Sequence, residues 1–364
     1  MPREVQTAVV QSVSAGPDAG LPLVVSHAVP IPCMTSPFHV LIRIIVVGLN
    51  PTDHKMVAHF YNEGNGMGCD FCGIVEKAGP SVSIPIGTRV CGAVFPYGTT
   101  DIHNGAFSQR VVADSRRLLK VPEDWTDAQG AALGSVGWAT ACLSMSDPDA
   151  LGLVGLPSKP IETQDPVLVY GGATATGLIA IQMLKIAGYV PIAVCSSASA
   201  TLVMKYGAAG TAPYKSTDCV EKVKSIAGSV PIRYAVDCIT SADSAAICFG
   251  ALGRTGGRYV CLEQFQDAWR TRRAVRTKIV MGYEMQGMDV NLGQEVYDRK
   301  ANPELYEIGT AWIKEMQILL DAKAIMTPPL RELQGGFERI IDGLRILKSG
   351  EAQGRKLVVR ILDP

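Results

Sequence analysis

The stretch that decides the fold reads Val167-Leu168-Val169-Tyr170-Gly171-Gly172-Ala173-Thr174-Ala175-Thr176-Gly177, and an apolar run follows it to Gly188. The residues before the glycines predict a strand buried on both faces, as in a parallel sheet. The run after Gly177 predicts a largely buried helix that ends at Gly188. A strand, a glycine turn and a helix in this order are typical of the first βαβ unit of a dinucleotide-binding domain.

The turn itself has the chemistry of a pyrophosphate site. The free N–H groups and the dipole of the following helix favour an anion there. Gly172 lets the backbone approach the phosphates, and Gly177 lets helix and strand pack closely. Thr174 and Ala175 stand where many such turns carry glycine, so the hydroxyls of Thr174 and Thr176 are candidate phosphate donors. The alternative interpretation is an ordinary tight turn.

Length and composition limit which classes of protein the chain can belong to. The 364 residues suffice for two domains with sizeable cores, and 47% hydrophobic residues indicate a globular chain. With 34 basic and 34 acidic residues, net charge favours neither nucleic acid nor an anionic membrane as partner. The chain shows no signal core and no membrane-spanning run. Ten scattered cysteines predict free, mostly buried thiols in a reducing cytoplasm.

The segments on either side of the turn predict two different folds. Residues 1–130 contain short β-like runs separated by Gly and Pro, which predict an antiparallel, partly open barrel. A helix is expected over Ala128–Cys142 and a linker over Ser146–Pro166. From Val167 onwards, strands alternate with helices, which predicts a doubly wound parallel sheet of about six strands. The predicted elements there are strands Val190–Cys195, Thr211–Pro213, Arg233–Asp237 and Arg258–Leu262, and helices Ala198–Tyr206, Asp218–Ala227 and Ser241–Leu252.

The C-terminal part is expected to contain helices near Glu304–Leu320 and Gly336–Leu347 and a last strand, Lys356–Leu362. That strand lacks a partner in the parallel sheet, so we expect it to return to the N-terminal β region. The predicted domains are residues 1–138 with 308–364, and residues 139–307.

The end of the second predicted strand favours NADPH over NADH. NAD-preferring enzymes usually carry Asp or Glu there, to bind the ribose 2′-hydroxyl. This chain instead has Ser196, Ser197 and Ser199, with Lys205 on the next helix. Serine hydroxyls can donate to a 2′-phosphate, although they can equally cap the helix. Tyr214, after the third strand, is a candidate contact or an ordinary half-buried tyrosine.

No metal site is predicted. Gly68-Cys69-Asp70-Phe71-Cys72-Gly73 has no histidine beside the first glycine, and Cys69 and Cys72 form one C-x2-C pair without a second. Structural thiols are the favoured interpretation. His54 and His103 have no ligand spacing. Without a Lewis acid, alcohol oxidation is not expected.

Several motifs resemble the zinc-free medium-chain dehydrogenase/reductase superfamily. The matching segments are Gly48–Lys55, Gly105–Gln109, Ala131–Leu133 and Asp237–Thr240. Within that superfamily, Tyr170–Thr176, Gln334–Phe337 and Gly354–Arg360 resemble the trans-acting enoyl reductases of fungal polyketide synthases. The resemblance implies a GroES-like β-barrel domain plus a Rossmann domain, and a monomeric protein.

The resemblance also implies the site residues. The implied cofactor contacts are Thr52, Asp53, His54, Lys55, Ala173, Thr174, Ala175, Thr176, Ser196, Ser197, Ala198, Ser199, Tyr214, Leu262, Glu263, Gly354 and Arg355, beside Gly172. The implied substrate contacts are Thr140, Ala141, Cys142, Leu143, Ser144, Met145, Ser146, Asp147, Met281, Gly282, Tyr283, Glu284 and Met285. Glu263, where an amide is expected, and the bulky Trp138 depart from the family pattern and leave the substrate's shape open.

The implied reaction is NADPH-dependent reduction of an α,β-enoyl thioester on an acyl carrier domain of a polyketide synthase. Lys55 and Thr140 are the catalytic candidates. Lys55 is a candidate donor to the nicotinamide ribose or the thioester carbonyl, and Thr140 is a candidate to orient the nicotinamide or the substrate. The alternatives are a solvated lysine and a helix-buried threonine. No tyrosine acid is evident, so the α-carbon proton is assigned to water.

The basic run Trp269–Lys278 is a candidate docking ridge for an acidic carrier domain, or an ordinary solvated loop. The polar end of Arg258–Phe265 disfavours an edge-to-edge dimer. Two other functions remain open. One is a free-standing NADPH quinone or 2-alkenal reductase, and the other is a non-catalytic NADPH-binding scaffold.

Overall fold

The computed structural model describes residues 4–15, 20–98 and 101–361. The chain divides into two compact units. The first comprises Met1–Val136, Met288–Ala301 and Thr327–Pro364, and the second comprises Gly137–Gly287 and Asn302–Met326.

The elements follow one another along the chain as 15 strands and nine helices within the described residues. In chain order they are β1 (Val5–Gln11), β2 (Leu23–Pro30), β3 (His39–Gly48), α1 (Pro51–His59), β4 (Asp70–Ala78), β5 (Arg89–Ala93), β6 (Arg110–Asp114), β7 (Leu119–Lys120), α2 (Asp127–Leu133), α3 (Val136–Ser146), β8 (Pro166–Tyr170), α4 (Ala175–Ile186), β9 (Val190–Cys195), α5 (Ala200–Lys205), β10 (Gly210–Pro213), α6 (Cys219–Ala227), β11 (Tyr234–Asp237), α7 (Ala242–Ala251), β12 (Gly257–Cys261), β13 (Val275–Ile279), α8 (Pro303–Asp321), β14 (Leu330–Leu333), α9 (Gly336–Ser349) and β15 (Lys356–Arg360).

The first unit is built on a mainly antiparallel sheet. Its pairing order over the described residues is β14-β15-β3-β4-β5-β7, with β6 also paired to β3. The order ends at β14 and β7, as expected for a partly open barrel. The prediction that the last strand returns to this region is confirmed, because β15 pairs antiparallel to β3. Strand β3 is buried along most of its length, and it lies at the centre of an apolar core.

A glycine breaks the helix that was predicted over Ala128–Cys142. The structure has two helices there, α2 and α3, and Gly134 between them has a φ of +47°. A Cβ at Gly134 would lie 2.3 Å from Cγ of Asp70. The prediction of one helix was wrong because the chain turns tightly over this buried carboxylate.

The second unit contains the parallel sheet. Its order is β10-β9-β8-β11-β12-β13, which is the 3-2-1-4-5-6 order of dinucleotide-binding sheets. Every pairing in it is parallel. The central strands are buried on both faces, and an apolar cluster that includes Leu168, Ile192 and Phe249 packs on them.

Two features of the second unit differ from the sequence expectation. Strand β13 lies inside the run interpreted as a basic loop, so the sheet edge is β13 and not Arg258–Phe265. Helix α8 belongs to this unit, whereas residues 308–364 were placed in the first domain. It is held there because Trp312 Nε1 donates to Ser146 Oγ at 2.9 Å and Ser158 N donates to Glu315 Oε2 at 2.9 Å.

Candidate active site

The turn after β8 is fixed against the neighbouring strand. The N–H groups of Gly171 and Gly172 both donate to the carbonyl of Val194, at 3.0 and 3.1 Å. A Cβ at Gly177 would lie 2.4 Å from the carbonyl oxygen of Gly171. Glycine is therefore required at position 177, because helix α4 begins in direct contact with the turn.

The N-terminus of α4 suits an anion. Thr174 is its N-cap, and its Oγ1 accepts a hydrogen bond from Gly177 N at 3.0 Å. The amides of Ala175 and Thr176, in the first turn, have no carbonyl of the helix within reach. The first turn contains no acidic residue. A dinucleotide pyrophosphate therefore fits this end of the helix.

The carboxyl ends of β9 and β10 place hydroxyls beside one another. Oγ of Ser196 lies 2.9 Å from Oγ of Ser199. Both serines stand at N-cap positions, but neither side chain makes a capping hydrogen bond. Tyr214 N donates to Cys195 O at 3.1 Å, which places Tyr214 next to this group with 40% of its surface exposed. Sequence reasoning missed the exposed Lys215 that follows.

A buried carboxylate, Asp237, organises the ends of β11 and β12. Its Oδ1 accepts from the amides of Ile239 and Thr240 at 2.9 and 3.0 Å, and its Oδ2 accepts from the Tyr259 hydroxyl at 2.7 Å. The Thr240 Oγ1 accepts from Leu262 N at 3.1 Å. Burial and the nearby Asp237 raise the pKa of Tyr259, so this hydroxyl keeps its proton.

The segment Thr52–Lys55 forms the first turns of α1 in the first unit. Asp53 Oδ2 accepts from Asn50 N at 2.8 Å, and this bond fixes the entry to the helix. Asp53 is only 2% exposed, and none of the described residues is a hydrogen-bond partner of its Oδ1. Burial, with the nearby Asp70 adding to it, raises the pKa of Asp53 to about 7. His54 is buried, whereas Thr52 and Lys55 are half-buried.

Next to Asp53 lies a network that the sequence did not reveal. Lys356 Nζ donates to Asp70 Oδ2 at 2.8 Å and to Asn50 Oδ1 at 2.5 Å. Asn50 Nδ2 also donates to Asp70 Oδ2, at 2.9 Å. Asp70 Oδ1 accepts from the amides of Ser135 and Val136. All of these side chains are within the core of the first unit.

Gly354 and Arg355, the remaining implied cofactor contacts, belong to the turn before β15. Gly354 has a φ of +74°, and Arg355 N donates to Ala352 O at 3.0 Å. Arg355 is exposed.

The two implied substrate segments lie in the second unit. Residues 140–145 are buried in α3, where Ser144 Oγ donates to Thr140 O at 2.7 Å. Asp147 Oδ2 lies 3.8 Å from Lys278 Nζ. The second segment forms the short 3-10 helix Gly282–Gln286, and N of its N-cap residue Met281 donates to Glu284 Oε2. The substrate role of both segments stays a prediction.

The basic run Trp269–Lys278 is partly structural. The Arg272 guanidinium donates to the carbonyls at the C-terminal end of α7, including Phe249 O at 2.9 Å and Leu252 O at 2.8 Å. Arg270 donates to Val275 O, and Lys278 pairs with Asp147. Arg273 and Arg276 are exposed. The candidate ridge therefore reduces to these two side chains.

The thiols are mostly buried within the two units. All ten cysteines lie within the described residues, where they form no disulfide, and eight of them are buried. Burial raises the pKa of Cys72 to about 12 and that of Cys69 well above its usual value. In the part of the chain that is described, no group of three His, Cys, Asp or Glu side chains is arranged to hold a metal. The zinc-free site remains a prediction.

Comparison with known proteins agrees with both folds. Residues 36–123 match the family of the alcohol dehydrogenase GroES-like domain, and residues 175–266 match the zinc-binding dehydrogenase family. The trans-enoyl reductase sthE of Phaeosphaeria nodorum is 54% identical over 99% of both chains. The trans-enoyl reductase calK of Penicillium decumbens is 51% identical, again over 99% of both.

The chain belongs to the trans-enoyl reductase family. Among solved structures, the quinone oxidoreductase of Coxiella burnetii has a TM-score of 0.70 at 20% identity and covers 99% of this chain and 100% of that one. The CurK enoyl reductase has a TM-score of 0.68 at 16% identity, with 98% and 99% covered. These likenesses confirm the fold of a GroES-like domain and a Rossmann domain. Members of these oxidoreductase families bind a nicotinamide dinucleotide, which the turn at Gly171–Gly177 fits.

Within this trans-enoyl reductase, many of the implied cofactor contacts lie on the side of the parallel sheet where the strands have their carboxyl ends. Gly172–Thr176, Ser196–Ser199, Tyr214 and Leu262–Glu263 all follow the carboxyl ends of parallel strands of the second unit. Thr52–Lys55, Gly354 and Arg355 belong to the first unit. No helix in the described ranges is both long and apolar enough to cross a bilayer.

Proposed function

We propose that the protein is a trans-acting enoyl reductase of fungal secondary metabolism. It reduces the α,β-double bond of a polyketide enoyl thioester carried by an acyl carrier domain, with NADPH as reductant. The observation that carries this proposal is the identity of 54% and 51% to two proteins named trans-enoyl reductases, over nearly the whole of each chain. A polyketide synthase that lacks its own working enoyl reductase is the proposed partner, and the proposed compartment is the cytoplasm.

Support for NADPH comes from the ends of β9 and β10. The hydroxyls of Ser196 and Ser199 lie together, no acidic residue stands between them, and Lys215 follows at the next strand. This group suits a 2′-phosphate better than a ribose hydroxyl pair, because it offers donors and positive charge without a carboxylate acceptor.

The proposed preference can be tested at Lys215. Lys215→Glu is expected to raise the Kd for NADPH by at least about tenfold and to leave NADH binding unchanged. Lys314→Glu is the matched control, because Lys314 is also exposed in the second unit but lies within α8, outside the loops that follow β9 and β10. Equal loss of both nucleotides in Lys215→Glu would contradict the proposed 2′-phosphate contact.

In the proposed reaction, the reduced nicotinamide supplies the hydride to the β-carbon. The chain's residues must bind the thioester, stabilise the developing enolate oxygen and keep the α-carbon accessible to a proton. Lys55 is the proposed donor to that oxygen, and Thr140 is proposed to orient the nicotinamide or the substrate. Water is the proposed proton source.

Reconstitution with the partner synthase tests the function as a whole. The protein, the synthase and NADPH are expected to yield the saturated product by mass, and omission of the reductase yields the unsaturated one. Lys55→Ala is expected to lower kcat on a carrier-bound enoyl substrate about 100-fold, and the exposed Lys77→Ala is the control. Turnover of simple quinones without reduction of carrier-bound substrate would favour a quinone reductase, and NADPH binding without turnover would favour a scaffold.

Carrier docking is proposed at Arg273 and Arg276 alone. Reversal of both charges should raise KM for a carrier-bound substrate and spare a small thioester, because only the acidic carrier senses them. The reversal of Lys224 and Lys314, which are exposed on α6 and α8 of the same unit, is the control. Equal effects on both substrates would contradict docking here.

A further inference from the structure

Thr240 has a backbone conformation that its residue type disfavours. Its φ is +60°, in the left-handed region, where a β-branched residue is rare because its side chain crowds the backbone. Such strain persists only where surrounding contacts hold it, and it is concentrated at functional sites. The contacts around Thr240 therefore indicate what the strain maintains.

Two sets of hydrogen bonds hold Thr240 in place. Its amide donates to the buried Asp237 Oδ1 at 3.0 Å, so the loop is tied to the end of β11. Its hydroxyl oxygen accepts from Leu262 N at 3.1 Å, so the same residue is tied to the end of β12. Glycine would adopt this φ without strain but would lack the hydroxyl. The side chain thus connects the loop after β11 to the loop after β12.

The loop held by Thr240 faces the dinucleotide turn. A Cβ built on Gly171 would lie 2.9 Å from Cγ1 of Ile239, so the side chain of Ile239 lies against this turn. Ile239 is 45% exposed although it is apolar, and Asp237 fixes its amide at 2.9 Å. Strands β8 and β11 are neighbours where the strand order reverses, which is where ligands bind in such sheets.

We infer that Thr240 is a positioning residue for the nicotinamide dinucleotide. It holds Ile239 beside the Gly171 turn and Leu262 at the next strand end, so that both present a preformed surface to the cofactor. This inference rests on the proposed function, because it requires that the dinucleotide binds at the carboxyl ends of the parallel strands. Thr240 acts through Ile239 and the Leu262 backbone and needs no contact with the reacting atoms.

Three substitutions separate positioning from simple stability. Thr240→Ser keeps the hydroxyl and is expected to bind NADPH within twofold of wild type. Thr240→Ala and Thr240→Gly lose the hydroxyl, and both are expected to raise the Kd about three- to tenfold. Thr240→Gly should nevertheless have the higher Tm of the two, because glycine accepts the positive φ.

Hydrogen exchange of the Leu262 amide in the cofactor-free protein gives an independent measurement. It should be faster in the alanine and glycine variants and unchanged in the serine variant, because only serine retains the acceptor.

Each outcome of these measurements decides the matter. Affinity that follows Tm, with the glycine variant binding better than the alanine variant, overturns the positioning role. Wild-type protein that binds NADPH while all three variants bind equally well overturns it too, and leaves the proposed function intact. Wild-type protein that binds no NADPH overturns both.

Discussion

Asp70 in the first unit and Asp237 in the second are both buried carboxylates, and different donors stabilise them. Asp70, in the first unit, accepts from two backbone amides, from Asn50 and from the Lys356 ammonium. Asp237, in the second unit, accepts from two backbone amides and from the Tyr259 hydroxyl. Both carboxylates are 0% exposed.

The difference lies in the kind of donor and in the reach of the network. Lys356 lies 286 residues from Asp70 along the chain, so the ion pair joins the last strand to the centre of the barrel sheet. The Asp237 network spans only residues 237–262 and uses neutral donors. Breaking a buried ion pair leaves an uncompensated charge, whereas losing one neutral donor leaves one weaker bond unmade. We therefore expect the first unit to be more sensitive to loss of a charge.

The largest effect is expected from Lys356→Met. It removes the ammonium but keeps the length of the side chain, and it leaves the Asp70 carboxylate buried without a cation. The free energy of unfolding should fall by about 3–5 kcal/mol, measured by urea denaturation.

The double variant Lys356→Met/Asp70→Asn is the control for that experiment. An asparagine at position 70 can still accept from the amides of Ser135 and Val136, and no charge remains. It should recover part of the lost stability. A double variant with the same stability as the single one would show that lost packing of Lys356, and not the uncompensated charge of Asp70, dominates.

The sequence predicts elements well where local pattern decides them. The strand Val190–Cys195 has the predicted bounds, because apolar residues and flanking turns define it. Contacts between distant segments carry no local signal, which is why the Asp70–Lys356 pair was not foreseen. Gly134 interrupts a run that is otherwise typical of one helix, because the chain turns there to donate the amides of Ser135 and Val136 to Asp70. Strand β13 was missed since its alternate residues are basic, as an exposed edge allows.

A smaller loss is expected from Tyr259→Phe in the second unit. The substitution removes one hydrogen bond to Asp237 Oδ2 and keeps the ring packing against Phe249. The free energy of unfolding should fall by about 1–3 kcal/mol, because the two amides still hold the carboxylate. A loss as large as that of Lys356→Met would break the distinction between the two networks.

A second buried carboxyl group of the first unit, that of Asp53, lies beside the Asp70–Lys356 pair, and it predicts a pH dependence. The folded-state pKa of Asp53 is raised to about 7 from an ordinary 3.8, chiefly by burial. The charged groups facing it are Asp70 and Lys356, and the neutral thiol of Cys69 lies beside it as a hydrogen-bond donor. The folded protein therefore holds this proton more tightly than the unfolded chain. Its contribution to stability is complete below about pH 3.8 and is lost as the pH rises to about 7.

Asp53→Asn removes this titration and serves as its reference. The difference in unfolding free energy, wild type minus variant, should fall by at least about 1.4 kcal/mol between pH 5 and pH 8, since each pKa unit is worth about that amount. Urea denaturation at both pH values measures it. A difference that is constant or rises with pH would contradict a raised pKa at Asp53.

The sequence predicts those parts of the candidate site that a local motif defines. The turn Gly171–Gly177 is identified by its glycines and the apolar segments around it. The role of Thr240 was not foreseen, because a left-handed backbone at a threonine and a bond to Leu262 appear only when β11 and β12 are side by side. In the basic run Trp269–Lys278, by contrast, a visible pattern did not indicate the role of each residue. Five cations looked alike in sequence, but the structure uses Arg272 to cap α7.

The smallest effect is expected from Asp237→Asn. This variant compares the two carboxylates directly, because the same substitution can be made at Asp70. The asparagine oxygen can keep both amide bonds, and its NH2 group then faces the Tyr259 hydroxyl, which can rotate to accept. The unfolding free energy should change by less than about 1 kcal/mol. The same substitution at Asp70 places an NH2 group against the Lys356 ammonium, which keeps the Asn50 Oδ1 acceptor but loses its counter-charge, and should lose about 3–5 kcal/mol. If both variants lose the same amount, the identity of the partner does not determine how each unit tolerates its buried charge. A large loss at Asp237 alone would mean that its two amides require a full carboxylate charge, and that the cation at Asp70 is dispensable by comparison.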